Sequence, residues 1–239
     1  MTTTPDIQII VPCYNPQPNW SRRFYNGFIN FQRQFPDLNV GVTLVNDGTT
    51  NGLVKEELSF ISERIPELVY EGYEQNQGKG YAVRHGVKNS KANITILTDI
   101  DFPYRTSSMM KVIDSLNQSN DVVTGYRDHV YYSHTPFHRK IVSKTLRWLL
   151  QHALRLPIND SQCGLKGFNQ KGRELFLTTS IDRFLYDMEF LVISVRKKDI
   201  KLEPVLVYLR DDVEFTAMNP KILLQELINF VRILFKSIF

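Results

Sequence analysis

Short apolar, β-branched runs alternating with helix-spaced segments leave this chain few folds to choose from. Ile7 to Val11 is a compact run of the kind that fits a strand buried on both faces, and Val40 to Val45, Leu68 to Tyr70, Ile94 to Leu97 and Asp121 to Thr124 read the same way. Between them, Arg22 to Phe35, Val54 to Arg64, Gly80 to Lys88 and Thr106 to Leu116 carry apolar residues at helical spacing. This alternation predicts an α/β fold, Rossmann-like, with a mainly parallel sheet and helices on both faces. No internal repeat interrupts the pattern, so one domain is expected over residues 1–215, followed by an amphipathic helix over 216–239. With 42% hydrophobic and 23% charged residues, the chain has the means to build a core.

In open α/β sheets ligands sit at the carboxyl ends of the strands. Those ends here carry Pro12-Cys13-Tyr14-Asn15, Asn46-Asp47-Gly48 and Asp99-Ile100-Asp101. If the last of these stays extended, alternate side chains share a face and both carboxylates point at one site. Paired carboxylates suit Mg²⁺ or Mn²⁺, which take oxygen ligands and bind bridging phosphates. Asn76-Gln77-Gly78-Lys79-Gly80 opens a helix, where glycines permit close backbone approach and the helix N-terminus favours an anion. It is not a Walker A loop, and the first strand is not followed by Gly-x-Gly-x-x-Gly, which argues against a dinucleotide-dependent dehydrogenase. A formal charge of +4 suits anionic substrates; no basic tract with interleaved aromatics signals nucleic acid. Cys13 and Cys163 lie far apart without a Cys-x-x-Cys partner, which points away from structural zinc and towards a reducing compartment.

Taken in order, these stretches resemble the successive motifs of family 2 glycosyltransferases, which have the GT-A fold. Val11 to Asn15, Val45 to Thr49, Asn76 to Gly80 and Thr98 to Asp101 supply the first four, and Gly125-Tyr126-Arg127 resembles the family's Gly-Ser-Arg. Asp160-Ser161-Gln162-Cys163-Gly164-Leu165-Lys166 is similar to the Asp-Thr-Gln-Cys-Gly-Phe-Lys stretch of the dolichyl-phosphate glucosyltransferase branch, and Tyr186 to Leu191 to that branch's Phe-Asp-x-Glu-Leu-Leu. The resemblance runs from about residue 7 to residue 210. It implies a nucleotide near Pro12, Tyr14, Asn15, Asp47 and Lys79, and a metal and diphosphate on Asp99 and Asp101. It also implies that Arg127 approaches a donor or acceptor phosphate, where a guanidinium fork is well suited. Arg139 and Ser143 have the Arg-x-x-x-Ser spacing that the polyprenyl-phosphate enzymes place near the acceptor. Two departures stand out: Asn15 replaces an acid common in the family, and Leu209 to Glu214 lacks the Gly-Ser-Lys of the polyprenyl branch, where Arg210 is a substitute phosphate contact.

The implied reaction is inverting transfer of a hexose, with UDP-glucose the favoured donor, to a polyprenyl phosphate. A phosphate acceptor is already ionised and needs cations for positioning. A sugar hydroxyl, the alternative acceptor, needs a carboxylate base, for which Asp187 and Glu189 are the candidates. A nucleotide-sugar-binding protein without turnover is the alternative from another class. Phe137 to Leu156 sets basic residues beside a Trp-containing apolar face, and Ile222 to Phe239 forms an apolar face with one polar stripe of Gln225, Asn229, Arg232 and Lys236. Both suit helices lying on lipid, the second being too short and too charged to span. Met1 to Asp6 has no apolar run of a signal peptide. The expected location is therefore cytoplasmic, peripheral on the inner face of the membrane.

Overall fold

In the computed structural model, residues 4–53, 55–127, 160–213, 229, 230 and 233 are described. The strands are β1 (Ile7–Cys13), β2 (Val40–Asp47), β3 (Leu68–Tyr73), β4 (Ile94–Leu97), β5 (Val122–Tyr126), β6 (Lys166–Phe168) and β7 (Leu202–Leu206). The helices are α1 (Trp20–Gln32), α2 (Lys55–Ser62), α3 (Lys79–Asn89), α4 (Thr106–Asn117), α5 (Gln170–Phe176) and α6 (Tyr186–Arg196). All five expected strands form, and β2 and β3 run on by two or three residues to Asp47 and Tyr73. The seven strands lie in the order β3-β2-β1-β4-β6-β5-β7. Every pairing is parallel except those of β6 with β4 and β5.

Two consequences of this order position the site. The chain winds from β1 outward through β2 and β3, then crosses to the other side of β1 to form β4. The switch point therefore lies between β1 and β4, where a crevice opens at the strands' carboxyl ends. Because β6 runs backwards between β4 and β5, its first residue, Lys166, pairs with Leu97 and Thr124 and lies towards that same edge.

Alternation along each strand divides the core in two. Ile9 and Val11 of β1, with Val42 and Leu44 of β2, face a cluster that includes Trp20, Phe24, Phe28 and Phe31 of α1 and Met109, Val112, Ile113 and Leu116 of α4. The three-and-four spacing on each helix gives one apolar stripe. Each buried aromatic of α1 contributes about 1.5–3 kcal/mol through area removed from water. On the opposite face, Ile10, Val45 and Leu97 meet Ala82, Val83 and Val87 of α3 and Tyr186, Met188 and Phe190 of α6. Helices therefore cover both faces, as the alternation predicts.

Phe230 and Ile233 of the tail are helical and buried, 7% and 1% exposed, in this second cluster. At these two positions the tail's apolar face packs on the protein itself. The rest of the tail and the basic segment Phe137 to Leu156, with Arg139 and Ser143, lie outside the described residues. Among the described residues no helix is long and apolar enough to cross a membrane.

Candidate active site

The Asp99-Ile100-Asp101 segment is a turn, not the extended strand expected. The backbone N–H of Phe102 donates to the Asp99 carbonyl at 3.0 Å, closing a four-residue turn. Phe102 itself has φ 46°, an uncommon conformation for a bulky residue. It is held there by packing: its ring meets Phe24 edge-on at 5.4 Å, and Gly27 leaves room for it, since a Cβ there would sit 2.4 Å from Phe102 Cβ. The two acids thus come together by chain reversal rather than by strand alternation. Burial, reinforced by the negative charge of Asp99, raises the Asp101 carboxyl above the usual range.

Asp99 has the opposite balance. Burial favours its neutral form, but Lys79, Lys166 and Arg127 outweigh that and hold it below the usual carboxylate range. The Lys79 ammonium, from the first residue of α3, lies 2.5 Å from Asp99 Oδ1. Burial works against that charge, yet Asp99, Asp187 and Asp101 together raise its pKa. The carboxylate of Asp99 also lies against Gly164, where a Cβ would stand 2.7 Å from its Oδ2. Only glycine lets the Gln-Cys-Gly stretch approach so closely. The Tyr104 hydroxyl holds that stretch by accepting from the Gly164 N–H at 2.8 Å.

The loop before α3 is organised by Asp47, which is 2% exposed. Its carboxylate accepts from the Tyr73 hydroxyl (2.8 Å), the Asn76 amide (2.8 Å), the Gln77 N–H (2.8 Å) and the Gly78 N–H (3.0 and 3.1 Å). The Tyr81 N–H donates to the Asp182 carbonyl at 3.1 Å. These backbone donors, expected to cradle a ligand anion, are therefore engaged by the protein's own groups. The glycines serve packing: a Cβ on Gly78 or Gly80 would stand 2.4 Å from the carbonyl of Asp182 or Ile181. Asn15, at φ 44°, accepts through Oδ1 from the N–H groups of Thr50 and Asn51 at 3.0 and 3.1 Å. It thereby ties the end of β1 to the loop after β2. Pro12 is partly buried beside it, and Tyr14 is 52% exposed.

On the other side of the crevice the charges are paired. Arg127 grips Asp160 with a two-point fork, Nε at 2.7 Å and Nη2 at 2.8 Å, while its N–H donates to the same carboxylate at 3.0 Å. Burial disfavours both charges, but each partner holds the other ionised, Arg127 raised and Asp160 lowered. Lys166 is fully buried; its Nζ donates to the Cys163 carbonyl at 2.5 Å and lies 2.8 Å from Asp187 Oδ1. That second approach is an ion pair rather than an aligned hydrogen bond, for Asp187 Oδ1 has no well-aimed donor. Burial accordingly raises the Asp187 carboxyl despite Lys166 and Lys79.

Glu189 points elsewhere. Residues two apart on a helix do not share a face, and its carboxylate accepts from the Ser180 N–H and hydroxyl and the Ile181 N–H at 2.8–2.9 Å. It fastens that loop to the first turn of α6. The structure therefore gathers Lys79, Asp99, Asp101 and Asp187, with Arg127 close by through its field on Asp99, and leaves Glu189 out of the cluster. Sequence reasoning passed over Lys166, Asp160 and Tyr104 as site residues. The signal for Lys166 was present: a lysine inside the otherwise apolar Gly164-Leu165-Lys166-Gly167-Phe168 run has to find a buried counter-charge.

The profile of glycosyl transferase family 2 matches residues 8–176. The dolichyl-phosphate beta-glucosyltransferase of Saccharomyces cerevisiae is 24% identical over 220 residues, 83% of this chain and 65% of the yeast protein. That of Dictyostelium discoideum is 26% identical over 215 residues, again covering 65% of its length. The chain thus spans somewhat less than two thirds of these relatives. Among solved structures, glucosyl-3-phosphoglycerate synthase of Mycobacterium tuberculosis, in complex with Mn²⁺, UDP and glucosyl-3-phosphoglycerate, aligns over 98% of this chain and 78% of its own, with TM-score 0.61 and 15% identity. A mannosyltransferase of Pyrobaculum calidifontis, in complex with GDP-Man and Mn²⁺, aligns over 86% of this chain and 57% of its own, with TM-score 0.57 and 15% identity. At such identities the likeness is one of fold, the GT-A arrangement.

Proposed function

The chain belongs to glycosyl transferase family 2, and from that premise we propose that it transfers a hexose from a nucleotide-diphosphate sugar, with UDP-glucose the favoured donor, to a polyprenyl phosphate, with inversion and with a divalent metal. The observation that carries this reading is the meeting of Asp99, Asp101 and Lys79 at the β1/β4 switch point, against the Gly164 loop. The likeness to the dolichyl-phosphate enzymes supports the acceptor.

The residues fit a metal. Asp101 is pushed towards its neutral form partly by the charge of Asp99, and a hard cation shared by both would relieve that repulsion. Among the described residues no cluster of three acidic, histidine or cysteine side chains forms, so donor phosphates and water would complete the ligand shell. Mg²⁺ or Mn²⁺ held by Asp99 and Asp101 would stabilise charge on the departing diphosphate. Lys79 balances Asp99 and lies where it can share the diphosphate charge. Arg127 is engaged by Asp160, so its proposed contribution is to hold the Asp160–Gly164 loop under Asp99. Arg139, Ser143 and Arg210 are proposed to receive the acceptor phosphate; Arg210 is anchored by its N–H to the Pro103 carbonyl at 2.8 Å and influences Asp101 by its charge. A lipid acceptor calls for a membrane surface, and peripheral attachment on the cytoplasmic face through Phe137 to Leu156 completes the proposal, since the tail buries Phe230 and Ile233 in the protein's own core.

A second reading has its own support. Asp187, buried and raised above the usual carboxylate range, has the character of a general base for a sugar hydroxyl. One assay separates the two. Purified protein is given Mn²⁺ or Mg²⁺, a panel of UDP- and GDP-sugars, and either a short polyprenyl phosphate or a glycan, beside an Asp101→Ala control. Lipid-linked sugar that vanishes in the control is the expected result. Glycan product alone would replace the lipid acceptor with a hydroxyl. Donor binding without hydrolysis or transfer would overturn the enzyme reading.

A further inference from the structure

Arg84, in the second turn of α3, grips the loop between α5 and α6 at three points. Its Nη1 donates to the Ile181 carbonyl at 2.7 Å and to the Thr179 hydroxyl at 3.4 Å, and its Nη2 pairs with the Asp182 carboxylate. An exposed ion pair alone would hold little in place. Here only 15% of the arginine side chain is exposed, and two of its three acceptors belong to the buried residues Thr179 and Ile181. From the other side, the Glu189 carboxylate takes the N–H groups of Ser180 and Ile181. The loop is thus fixed through its donors and its acceptors together.

This loop is in turn the bed on which the start of α3 lies. The Asp182 carbonyl accepts from the Tyr81 N–H at 3.1 Å. The carbonyls of Asp182 and Ile181 lie so close to Gly78 and Gly80 that a Cβ on either glycine would stand 2.4 Å away. Those two glycines flank Lys79, whose ammonium reaches Asp99. The carbonyl that Arg84 holds is therefore the one on which Gly80 rests. We infer that Arg84 is a positioning residue: through Ile181 and Asp182 it sets the place of the Lys79 ammonium beside Asp99, and so its reach to the donor diphosphate, a role that rests on the nucleotide-sugar reading above. A guanidinium suits the task because its fork offers N–H groups in several fixed directions, where an ammonium is a single point.

Calorimetric binding with the full chain and Mn²⁺ tests this, using UDP against UMP, or GDP against GMP if guanine is the base bound. Only the diphosphate carries the second phosphate that Lys79 would meet. Arg84→Met should weaken UDP about tenfold, the loss of one charge-assisted contact, and UMP by less than about threefold. Arg84→Lys should fall between, and it reads the same ratio if Arg84→Met fails to fold. In a Lys79→Met background, Arg84→Met should cost UDP no more than about twofold, because a residue acting through Lys79 has nothing left to position. Arg173→Met is the control for a purely structural clamp. It removes a bond of like kind, to the Ala92 carbonyl at 2.8 Å, and should leave the UDP-to-UMP ratio within about twofold of native. No loss of UDP affinity in Arg84→Met, equal weakening of UDP and UMP, or an Arg84 effect undiminished without Lys79 would overturn the inference. A native chain that binds neither UDP nor GDP would instead remove the nucleotide-sugar reading itself.

Discussion

The two sides of the crevice solve the same problem by different means. On the β1–β3 side the buried acid Asp47 is satisfied by neutral donors, two backbone N–H groups, an amide and a hydroxyl. On the β5–β6 side the buried acids Asp160 and Asp187 face full cations, Arg127 and Lys166. Neutral donors fix one geometry, which suits a wall that shapes a pocket. Ion pairs in the interior are costly to build and more costly to break. They lock the segment after β5 and the first residue of β6 against Asp160 and Asp187 in one arrangement. The difference predicts how each side fails.

The largest effect is expected at the fully buried amine. Lys166→Met should leave Asp187 without its partner and destabilise the fold by about 3–5 kcal/mol. In a chain of this size that corresponds to a fall of about 2–4 °C in melting temperature for each kcal/mol. Adding Asp187→Leu should restore most of that loss, because replacing both members of a buried pair with apolar groups is often neutral. Transfer to a hydroxyl acceptor should not return with the stability, because the base is gone. A double variant as unstable as Lys166→Met would show that the pair does not act as a unit.

How much of this could be read from the residues follows the same division. The side carrying β1 to β4 is built from contiguous motifs at strand ends, so Asp47, Lys79, Asp99 and Asp101 could be picked out as candidates, and the apolar runs alone placed β1 to β4. What escaped was the manner of their meeting. The Asp99 to Asp101 reversal depends on Phe102 holding φ 46° against Phe24 and Gly27, a tertiary constraint no local pattern reports. The antiparallel insertion of β6 escaped for a similar reason: three residues, Lys166-Gly167-Phe168, none of them β-branched, give no strand period. That insertion is what brings Lys166 to the site. The fork between Arg127 and Asp160 spans 33 residues of chain and has no local signal either.

Asp47→Ala tests the neutral side and should cost less, about 2–3 kcal/mol. The Gly78 N–H is buried and would lose its acceptor, while the partly exposed donors can turn to water. Thermal melting gives the total. Hydrogen exchange at Gln77 and Gly78 should accelerate well beyond exchange in β1. If protection there is unchanged, Asp47 is not what orders the loop. Smaller again is Glu189→Gln, which keeps an acceptor for the Ser180 and Ile181 loop but surrenders the charge. About 1 kcal/mol is expected, with transfer within about threefold of native once the protein is folded. A collapse of transfer without a matching loss of stability would put Glu189 back at the acceptor.

The mildest perturbation, acid, separates the two kinds of carboxylate. Asp99 and Asp160 have folded pKa values below the ordinary range, so the stability they contribute is complete above about pH 3.9, the unfolded value, and is lost only as pH falls through their lower folded values. Asp187 is raised by burial, which reverses the sign: its ionised form burdens the folded state, and protonation as pH falls towards 3.9 favours folding. Acidification should therefore neutralise Asp187 while the Arg127–Asp160 fork still holds the structure. Transfer to a hydroxyl acceptor should decline as Asp187 protonates, above the ordinary carboxylate range, with circular dichroism unchanged there and the unfolding midpoint at lower pH. Transfer to a phosphate acceptor, which needs no base, should lack the Asp187 limb, and Asp187→Asn should remove it for a hydroxyl acceptor together with the activity. Coincident midpoints for activity and unfolding would mean that the raised carboxyl takes no part in the chemistry, leaving Asp187 as the counter-charge of Lys166 alone.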